Sequence, residues 1–596
     1  MDERLDLWAA TASELVWDEP YSAVHEPRPG HGRWFVGGRL NLATNLVDRH
    51  VATRADAPAF HWEGEPGDLR TVTYGELHRE VLDLAGALAG LGLSAGDRVA
   101  LYAGLLPESI ITMLACGRLG ATFCVLPAML PADALAAMLA DLQPKVLVTQ
   151  DGAWRHGVVL PLKARADEAL TAVSGIDHTI VIRRAGIDVA WYEGDRWLHD
   201  LVASRRPGAT ATTPPIASVE ADAPALITYV ANRRGRPVGA VHTAGRLLAY
   251  TRRMHTHGFG LGPDDVLWVP AEFTWIAAQT HGVLGPLAAG GTTLVYEGML
   301  DTPTRERTWS MIERHRVHTL MVTPSVVRAV HRWAEAGPTP DQVASLRAIL
   351  TAGEPLDEET RRWLHDDIGR GSLEVVNVWG QTELAGTAQI EPPLSKADWV
   401  PDAGLSVVDD EGRPVPAGEI GDLVLTHPWP GIAPRFHGDP GPGPGVDETR
   451  PGMFVTGDRA RLGDDGHIEL LGRSDRVMNI SGQLVSALEI GDVLEEHPLV
   501  AQAVVVDRPN QRTGRAVVAC VVPAAGVEPT IDFAADLRRH VHDLLGGLAQ
   551  PQSVVFVDAF PELPVELLVA ALESLCAGTP GVSHVAGEQI AAAAST

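Results

Sequence analysis

Apolar runs of strand length alternate with amphipathic helical stretches along most of the chain. Three runs with strand character span residues 98–102, 145–149 and 319–323. Between Leu77 and Leu91, apolar residues recur at intervals that place them on one face of a helix. Strands that alternate with helices are typical of an α/β architecture, so this pattern predicts that fold class.

The pattern changes toward the C-terminus. Residues 428–452 are dense in Pro and Gly and predict a long surface loop. A second, smaller α/β unit is predicted from about residue 475, with strands at 504–506 and 517–522 and a helix over 531–545. The last residues of the chain are predicted to form a frayed tail.

The net negative charge of the chain argues against anionic partners. The chain of 596 residues carries 76 Asp and Glu against 48 Lys and Arg, a net charge of -28. That charge repels phosphate backbones and anionic lipids, so we expect neither nucleic acid nor a membrane surface as a partner. The N-terminus lacks a basic region followed by an apolar core, and no apolar stretch is long enough to span a bilayer, which predicts a cytoplasmic protein.

Cysteine and lysine are both scarce. Cys116, Cys124, Cys520 and Cys576 lack the CxxC spacing of zinc sites. We therefore expect buried free thiols, without a zinc site or a disulfide framework. Lysine occurs only at positions 145, 163 and 396, so no lysine follows Lys396.

Several short motifs occur in order between Trp34 and Gly482. They are WFVGGRLN at 34–41, WVPAE at 268–272, GPL at 285–287, GEP at 353–355, GQTE at 380–383, TGD at 456–458, GRSD at 472–475 and NISG at 479–482. Each motif alone is weak, but the whole set in this order is specific. The sequence resembles the adenylate-forming superfamily and, within it, the acetyl-CoA synthetase branch of the acyl-CoA synthetases.

The resemblance implies a large N-terminal adenylate-forming domain at 1–474, a small mobile C-terminal α+β domain at 475–577 and a tail at 578–596. A hinge would fall on Asp475, with the active site between the domains. Enzymes of this family join a carboxylate to AMP with loss of pyrophosphate from ATP, and CoA then displaces AMP. The implied ligands are ATP or AMP, Mg²⁺, CoA and a small carboxylate or other oxyacid, and a protein partner or oligomer is left open.

The nucleotide site implied by the resemblance consists of Gly353, Glu354, Pro355, Gln381, Thr382, Asp458 and Arg473. Their chemistry agrees with that role, because an ionised Asp458 can accept hydrogen bonds from both ribose hydroxyls and Arg473 offers a planar fork to ribose or phosphate. Thr382 can donate to an α-phosphate oxygen. Thr382 and Glu383 are the catalytic candidates, and Glu383 is a hard oxygen ligand suited to Mg²⁺.

Two segments depart from the family pattern. The family's phosphate loop is rich in Ser, Thr and Gly and ends in Lys, whereas residues 230–239 read VANRRGRPVG here. This run is either a degenerate, solvated loop or a rewired phosphate site built on Arg233, Arg234, Gly235 and Arg236. The family's catalytic lysine near the C-terminus is also missing, since the matching run at 561–569 reads PELPVELLV. Losing such an electrostatic contact costs about 10² to 10³ in rate.

The resemblance is partial at the CoA and acyl sites. On the CoA side the chain keeps Arg155 and Gly482, but Leu484 replaces an arginine of the family. The implied acyl pocket consists of Trp275, Ile276, Ala277, Ala352 and Gly380. Gly380 stands where acetate-specific members carry a tryptophan. The pocket is thus predicted to admit a larger acyl chain or ring, the alternative being the drift of an unused pocket.

Two classes of function are compatible with these residues. The first is an acyl-CoA synthetase-like acid–thiol ligase that acts on a carboxylate larger than acetate, with altered adenylation and thioester formation. The alternative is a non-catalytic paralogue that binds AMP, an acyl-adenylate or CoA as a sensor or partner subunit. We favour the enzyme and do not expect ordinary acetyl-CoA synthesis.

Overall fold

The computed structural model describes most of the chain. The described residues are 3–28, 31–204, 216–231, 237–333, 337–354, 356–399, 401–464, 467–473, 477–481, 483–561, 565–578 and 581–594. None of the helices in these ranges combines the length and the apolar composition that crossing a membrane requires.

The α-helices of the described residues lie between the strands. They are α1 Glu3–Ser13, α2 Arg49–Arg54, α3 Tyr74–Gly90, α4 Pro107–Leu119, α5 Ala132–Leu142, α6 Leu162–Leu170, α7 Leu198–Ala203, α8 Ala244–Arg253, α9 Ile276–Gln279, α10 Gly285–Ala289, α11 Arg307–His315, α12 Pro324–Trp333, α13 Glu358–Arg362, α14 Ala487–Glu495, α15 Ile531–Leu545, α16 Val565–Cys576 and α17 Gly587–Ala593. The predicted helices at 77–91 and 531–545 are confirmed as α3 and α15. A capping box starts α3, because the Thr73 hydroxyl accepts from the Glu76 amide and the Glu76 carboxylate accepts from the Thr73 amide.

The strands are short and numerous. Those of the first half are β1 Trp17–Glu19, β2 Ala23–Glu26, β3 Arg33–Val36, β4 Arg39–Leu40, β5 Pro58–Glu63, β6 Leu69–Thr73, β7 Arg98–Tyr102, β8 Thr122–Val125, β9 Val146–Gln150, β10 Ala153–Arg155, β11 Val158–Leu160, β12 His178–Ile182, β13 Asp195–Trp197, β14 Val219–Glu220, β15 Pro224–Val230, β16 Val238–Thr243, β17 Val266–Trp268 and β18 Thr292–Tyr296. Those of the second half are β19 Thr319–Val322, β20 Ala348–Ala352, β21 Glu374–Gln381, β22 Gly386–Glu391, β23 Leu405–Val408, β24 Ile420–Leu425, β25 Arg435–Phe436, β26 Phe454–Leu462, β27 Ile468–Arg473, β28 Val477–Ile480, β29 Gln483–Ser486, β30 Val500–Asn510, β31 Gly514–Pro523, β32 Ser553–Val557 and β33 Val582–Val585.

Two eight-stranded sheets form the large N-terminal part. Their orders are β13-β12-β9-β7-β8-β15-β16-β25 and β22-β21-β20-β19-β17-β18-β5-β6. The central strands of both sheets are parallel, and antiparallel strands such as β16, β22 and β6 lie toward the edges. The runs predicted as strands are confirmed as β7, β9 and β19, which are largely buried. These sheets, with helices packed between and around them, confirm the α/β class.

Parallel pairing brings several strand ends to one edge. In the second sheet β20 ends at Ala352 and its neighbour β21 ends at Gln381, while in the first sheet β15 ends at Val230. Ligands of α/β proteins bind in the crevice beyond the carboxyl ends of such strands. Gly353 and Thr382, each the next residue after a strand, therefore lie at the expected edge.

Two four-stranded sheets follow, beside smaller sheets of two or three strands. An antiparallel sheet of order β23-β24-β26-β27 pairs Asp458 directly with Arg473. The small C-terminal unit has the order β30-β31-β32-β33, and β30 and β31 contain the predicted strands at 504–506 and 517–522. The Pro- and Gly-rich run at 428–452 is irregular apart from the two-residue strand β25, as predicted. The predicted surface position is wrong for residues 429–433, which are buried because Trp429 and Ile432 pack into the main core.

The C-terminal tail differs from its prediction. Strand β33 extends the small sheet by parallel pairing with β32, and Ile590 of α17 is fully buried. The free edge of β32 and the apolar surface beside it give these residues hydrogen bonds and burial that a short terminal sequence does not reveal. The boundary at residues 474 and 475 stays a prediction.

Candidate functional site

One cleft of about 1310 Å³ brings together most of the predicted site residues. It is lined by Arg155, Trp275, Ile276, Ala277, Ala352, Gly353, Glu354, Gly380, Gln381, Thr382, Asp458 and Arg473. Glu383 follows Thr382 on a single 3-10 turn, Thr382–Leu384, and is half-buried. Arg233, Arg234, Gly235, Arg236, Pro355, Asp475 and Gly482 lie outside the described residues.

Asp458 receives hydrogen bonds on both of its carboxylate oxygens. It is 9% exposed, and its Oδ2 accepts from Trp379 Nε1 at 3.2 Å and from Gln381 Nε2 at 3.1 Å. Its Oδ1 lies 3.4 Å from an Arg473 guanidinium nitrogen. Gln381 and Arg473 also donate to the Thr456 carbonyl. The carboxylate is therefore held in one orientation by three donors in the middle of β26.

Trp379 is a site residue that the motif comparison missed. Its indole N–H donates to Asp458, and its side chain lines the cleft. Successive residues of a strand point to opposite faces, so Trp379 and Gln381, two positions apart on β21, share a face. The same alternation, applied to the residue before the GQTE motif, could have identified Trp379 from the sequence.

The Glu354 carboxylate is bound by two side chains of α12. Ser325 Oγ donates to one carboxylate oxygen at 2.6 Å and an Arg328 guanidinium nitrogen donates to the other at 3.0 Å. Burial raises the pKa of this carboxyl despite both contacts. Gly353 beside it, which has a φ of +84°, also lines the cleft.

The C-terminal unit closes one side of the cleft. Asn479 on β28 donates through Nδ2 to the carbonyl of Gly353. A second contact joins Arg332 to the carbonyl of Gln511 in the turn between β30 and β31 at 3.2 Å. The NISG motif therefore lies directly against the GEP motif, which explains why two short motifs so far apart in sequence form one site.

Gly380 does not leave an empty space. A Cβ atom built on Gly380 would lie 1.9 Å from the Gly386 carbonyl oxygen and 2.7 Å from the Thr387 Cα. The pairing of β21 with β22 shifts register at this point, which turns the Gly386 carbonyl toward Gly380. The volume that a side chain at position 380 would begin to fill is therefore taken by backbone.

Two buried rings hold that backbone from behind. Tyr250 donates from its hydroxyl to the Thr387 carbonyl at 2.8 Å, and His281 Nε2 accepts from the Thr387 amide at 3.3 Å. Burial lowers the pKa of His281 to about 3, so the ring is neutral and can accept. A Cβ on Gly386, whose φ is +124°, would approach His281 Nε2 to 2.6 Å, so a glycine is needed there.

The CoA-side arginine is already paired. Arg155 contacts Glu272 of the WVPAE motif at 2.6 Å, and both residues line the cleft. Leu484 lines it as well. Within the described residues no group of three or more His, Cys, Asp or Glu side chains is arranged to hold a metal ion.

The pH dependence of stability is expected to report on Glu489, which lines the cleft on α14. Burial and, to a lesser extent, Asp492 raise its pKa to about 7. The folded state then binds a proton that the unfolded state has lost, so stability falls as pH rises from about 4.5 to about 7, by up to about 3 kcal/mol. Glu489→Gln should remove this fall, seen as a higher melting temperature than wild type at pH 8 and an equal one at pH 4.

The exposed neighbour Glu496 supplies the matched control. Glu496→Gln should leave the pH profile of the melting temperature unchanged. A Glu489→Gln profile parallel to that of wild type would contradict the assignment.

The comparisons with known proteins agree with this geometry. The AMP-binding enzyme family matches residues 47–434, its C-terminal domain matches 489–564, and the acetyl-coenzyme A synthetase N-terminus matches 2–46. Acetyl-coenzyme A synthetases of Mycobacterium bovis and Streptomyces avermitilis are 40% and 38% identical, covering 94% of this chain and 89% and 87% of their own lengths. That of Rubrobacter xylanophilus is 35% identical over 98% of this chain and 94% of its own length.

The predicted preference for a carboxylate larger than acetate is wrong, and so is the alternative of a non-catalytic paralogue. Relatives that align with nearly the whole chain are named acetyl-coenzyme A synthetase, and the N-terminal segment matches the same group. The physical reason lies at Gly380, because the prediction treated a missing side chain as free volume, whereas even the first atom of a side chain there would meet the Gly386 backbone. A family match that spans 47–434 and relatives of 35–40% identity establish that the chain belongs to the AMP-binding enzyme family.

Proposed function

We propose that the chain is an acid–thiol ligase that activates acetate with ATP and transfers the acetyl group to CoA. One observation carries the proposal: the nucleotide motifs, the acyl residues and the hairpin of β28 and β29 line a single cleft. The chain is related along its length to acetyl-coenzyme A synthetases. In the first step an acetate oxygen would bond to the α-phosphorus of ATP as the bond to pyrophosphate breaks. In the second, the CoA thiol would attack the acetyl carbonyl and AMP would leave.

The proposed nucleotide roles follow from the contacts of Asp458, Thr382 and Glu383. Asp458, held by Trp379 and Gln381, would accept the ribose hydroxyls with its remaining lone pairs. Thr382 lines the cleft and would donate to an α-phosphate oxygen. Glu383 and the Thr382 hydroxyl offer adjacent hard oxygen ligands, the donor set that suits Mg²⁺ together with substrate phosphates. Mg²⁺ bound there would neutralise the phosphate charge.

The acetate pocket would be small and closed by backbone. Trp275 precedes α9, whose first residues Ile276 and Ala277 are buried beside the cleft. Ala352 at the end of β20 would form the opposite wall. Because position 380 is a glycine, the Gly386 carbonyl would approach closely enough to form the floor of the pocket. The backbone would then limit the length of the acyl chain, in place of the tryptophan of acetate-specific family members.

We propose further that the adenylation site is altered. No lysine follows position 396, so the transition-state charge would be met by arginine, with Arg233, Arg234 and Arg236 as the candidates in the phosphate loop. Arginine binds phosphate through a planar fork and keeps its charge at any physiological pH. We therefore expect acetate activation to be slower than in lysine-bearing relatives, by about 10² or more.

CoA would enter beside Arg155 and Leu484, which both line the cleft. Arg155 would have to exchange Glu272 for a CoA phosphate, because the two side chains are 2.6 Å apart. The contact between Asn479 and Gly353 supports this proposal, because the NISG motif then lies beside the proposed nucleotide residues. The cytoplasmic location stays a prediction made from the sequence.

The test is pyrophosphate release and acetyl-CoA formation by the purified chain with ATP, Mg²⁺, CoA and acetate, compared with propionate, butyrate and benzoate. Acetate-dependent release followed by acetyl-CoA supports the proposal. A higher kcat/KM for any longer acid, or no release with any acid, refutes it.

Glu383→Gln should lower acetate-dependent pyrophosphate release about 10²-fold or more, because an amide is a poorer ligand for Mg²⁺ and carries no charge. The activity of this variant should recover partly at high Mg²⁺. Glu391→Gln, at an exposed carboxylate on the neighbouring strand β22, is the matched control and should retain wild-type rates. Equal rates for the two variants would exclude Glu383 from metal binding.

A further inference from the structure

Two of the four cysteines of the chain lie in contact inside the C-terminal unit. Cys520 on β31 and Cys576, the last residue of α16, have their sulfur atoms 3.9 Å apart. Both side chains are buried, at 0% and 1% exposure, in the same apolar cluster. The residues are far apart in sequence, so only the packing of α16 on the sheet brings the two thiols together.

The surroundings of the pair favour reaction at one sulfur. The contact between the two thiols lowers the pKa of Cys576 and raises the pKa of Cys520. The guanidinium of Arg508 adds to the lowering, and among the described residues its buried Nε has no hydrogen-bond partner. Cys576 is therefore the sulfur that more readily becomes a thiolate, the nucleophilic form.

We propose that Cys520 and Cys576 are a redox-modifiable pair that peroxide converts into a disulfide fastening α16 to β31. The thiolate of Cys576 would attack one oxygen of hydrogen peroxide, giving a sulfenic acid and hydroxide. The sulfur of Cys520 would then attack the sulfenic sulfur, and the leaving hydroxide would take the Cys520 proton as water. In sum, two thiols and one peroxide give one disulfide and two waters.

A disulfide between Cys520 and Cys576 would affect the cleft. Glu573 and Val569 stand three and seven positions before Cys576 on α16, and both line the cleft. Residues at these spacings share one face of a helix. A disulfide at the end of α16 would therefore restrain the helix that borders the ligand site, and the modification does not depend on which acid the site accepts.

The experiment treats the reduced full chain with hydrogen peroxide and measures its intact mass and its peptide map. The expected result is a loss of about 2 Da, the mass of two hydrogen atoms, with one peptide pair joined through Cys520 and Cys576. Dithiothreitol should restore the reduced mass. The melting temperature of the oxidised wild type should rise, because the cross-link restricts the unfolded chain.

Variants separate the pair from the other thiols. Cys576→Ser should abolish both the mass loss and the rise in melting temperature, whereas Cys116→Ser with Cys124→Ser, at the other two buried thiols, should leave them intact. If Cys576→Ser fails to fold, the wild-type peptide map decides alone. Gain of oxygen without a Cys520–Cys576 peptide, or an unchanged mass, would overturn the proposal.

Discussion

Asp458→Asn is expected to reduce acetate-dependent pyrophosphate release at least 100-fold, about 3 kcal/mol of transition-state stabilisation. The substitution keeps the volume of the side chain but removes its charge. The new amide group would face Trp379 Nε1, Gln381 Nε2 or the Arg473 guanidinium, all donors that now point at the carboxylate. A buried donor left without an acceptor costs about 1–3 kcal/mol, and more when it is charged.

The measurement that checks this is the ATP and acetate dependence of pyrophosphate release at saturating Mg²⁺. The KM for ATP should rise together with the fall in kcat, since the same carboxylate is proposed to bind the ribose in ground and transition states. Asp464→Asn, at an exposed turn just beyond the same strand, is the control and should match wild type. A loss of less than threefold in Asp458→Asn would remove Asp458 from the nucleotide site.

Gly380→Ala is expected to be the second most damaging change, although it adds a single methyl group. The new Cβ would lie 1.9 Å from the Gly386 carbonyl oxygen and 2.6 Å from its carbon, and neither atom can rotate away as a flexible side chain could. Relief requires β22 to move, against the hydrogen bonds that Tyr250 and His281 make to Thr387. Overpacking of this kind costs about 1–3 kcal/mol of stability.

The displaced strand carries the floor of the proposed acetate pocket, so activity should suffer beyond stability. We expect Gly380→Ala to lower the melting temperature and to raise the KM for acetate about tenfold at a temperature where the variant is folded. Gly578→Ala, where the added Cβ meets no atom within 4 Å, is the control for the glycine substitution itself. A Gly380→Ala enzyme with wild-type stability and acetate KM would show that side-chain volume at position 380 is free after all.

These two predictions concern different failures. Loss at Asp458 with intact stability would indicate a chemical role, whereas loss at Gly380 should combine a packing defect with a change in acyl binding. If neither substitution changes activity, the function proposed for the cleft is wrong, although the family assignment stands.

Strand and helix positions in the parallel core followed from local patterns. The runs at 98–102, 145–149 and 319–323 are apolar because both faces of a parallel sheet are covered, and that burial is visible in composition alone. The motif order likewise indicated the fold and the cleft residues. The strand β33 and helix α17 were missed because their burial depends on the open edge of β32, which their own sequence does not show.

Chain order and residue chemistry alone sufficed for the α/β class, the family, and the identity of Thr382, Glu383, Asp458 and Arg473 as candidates. Those inferences depend on periodicity and on functional groups, which a sequence states directly. Space and contact depend on which segments meet, and only the tertiary structure decided those. It placed the Gly386 carbonyl against Gly380, directed Trp379 toward Asp458 and brought Cys520 to Cys576. Each of these pairs is joined by strand register or helix packing, which residue identities alone do not state.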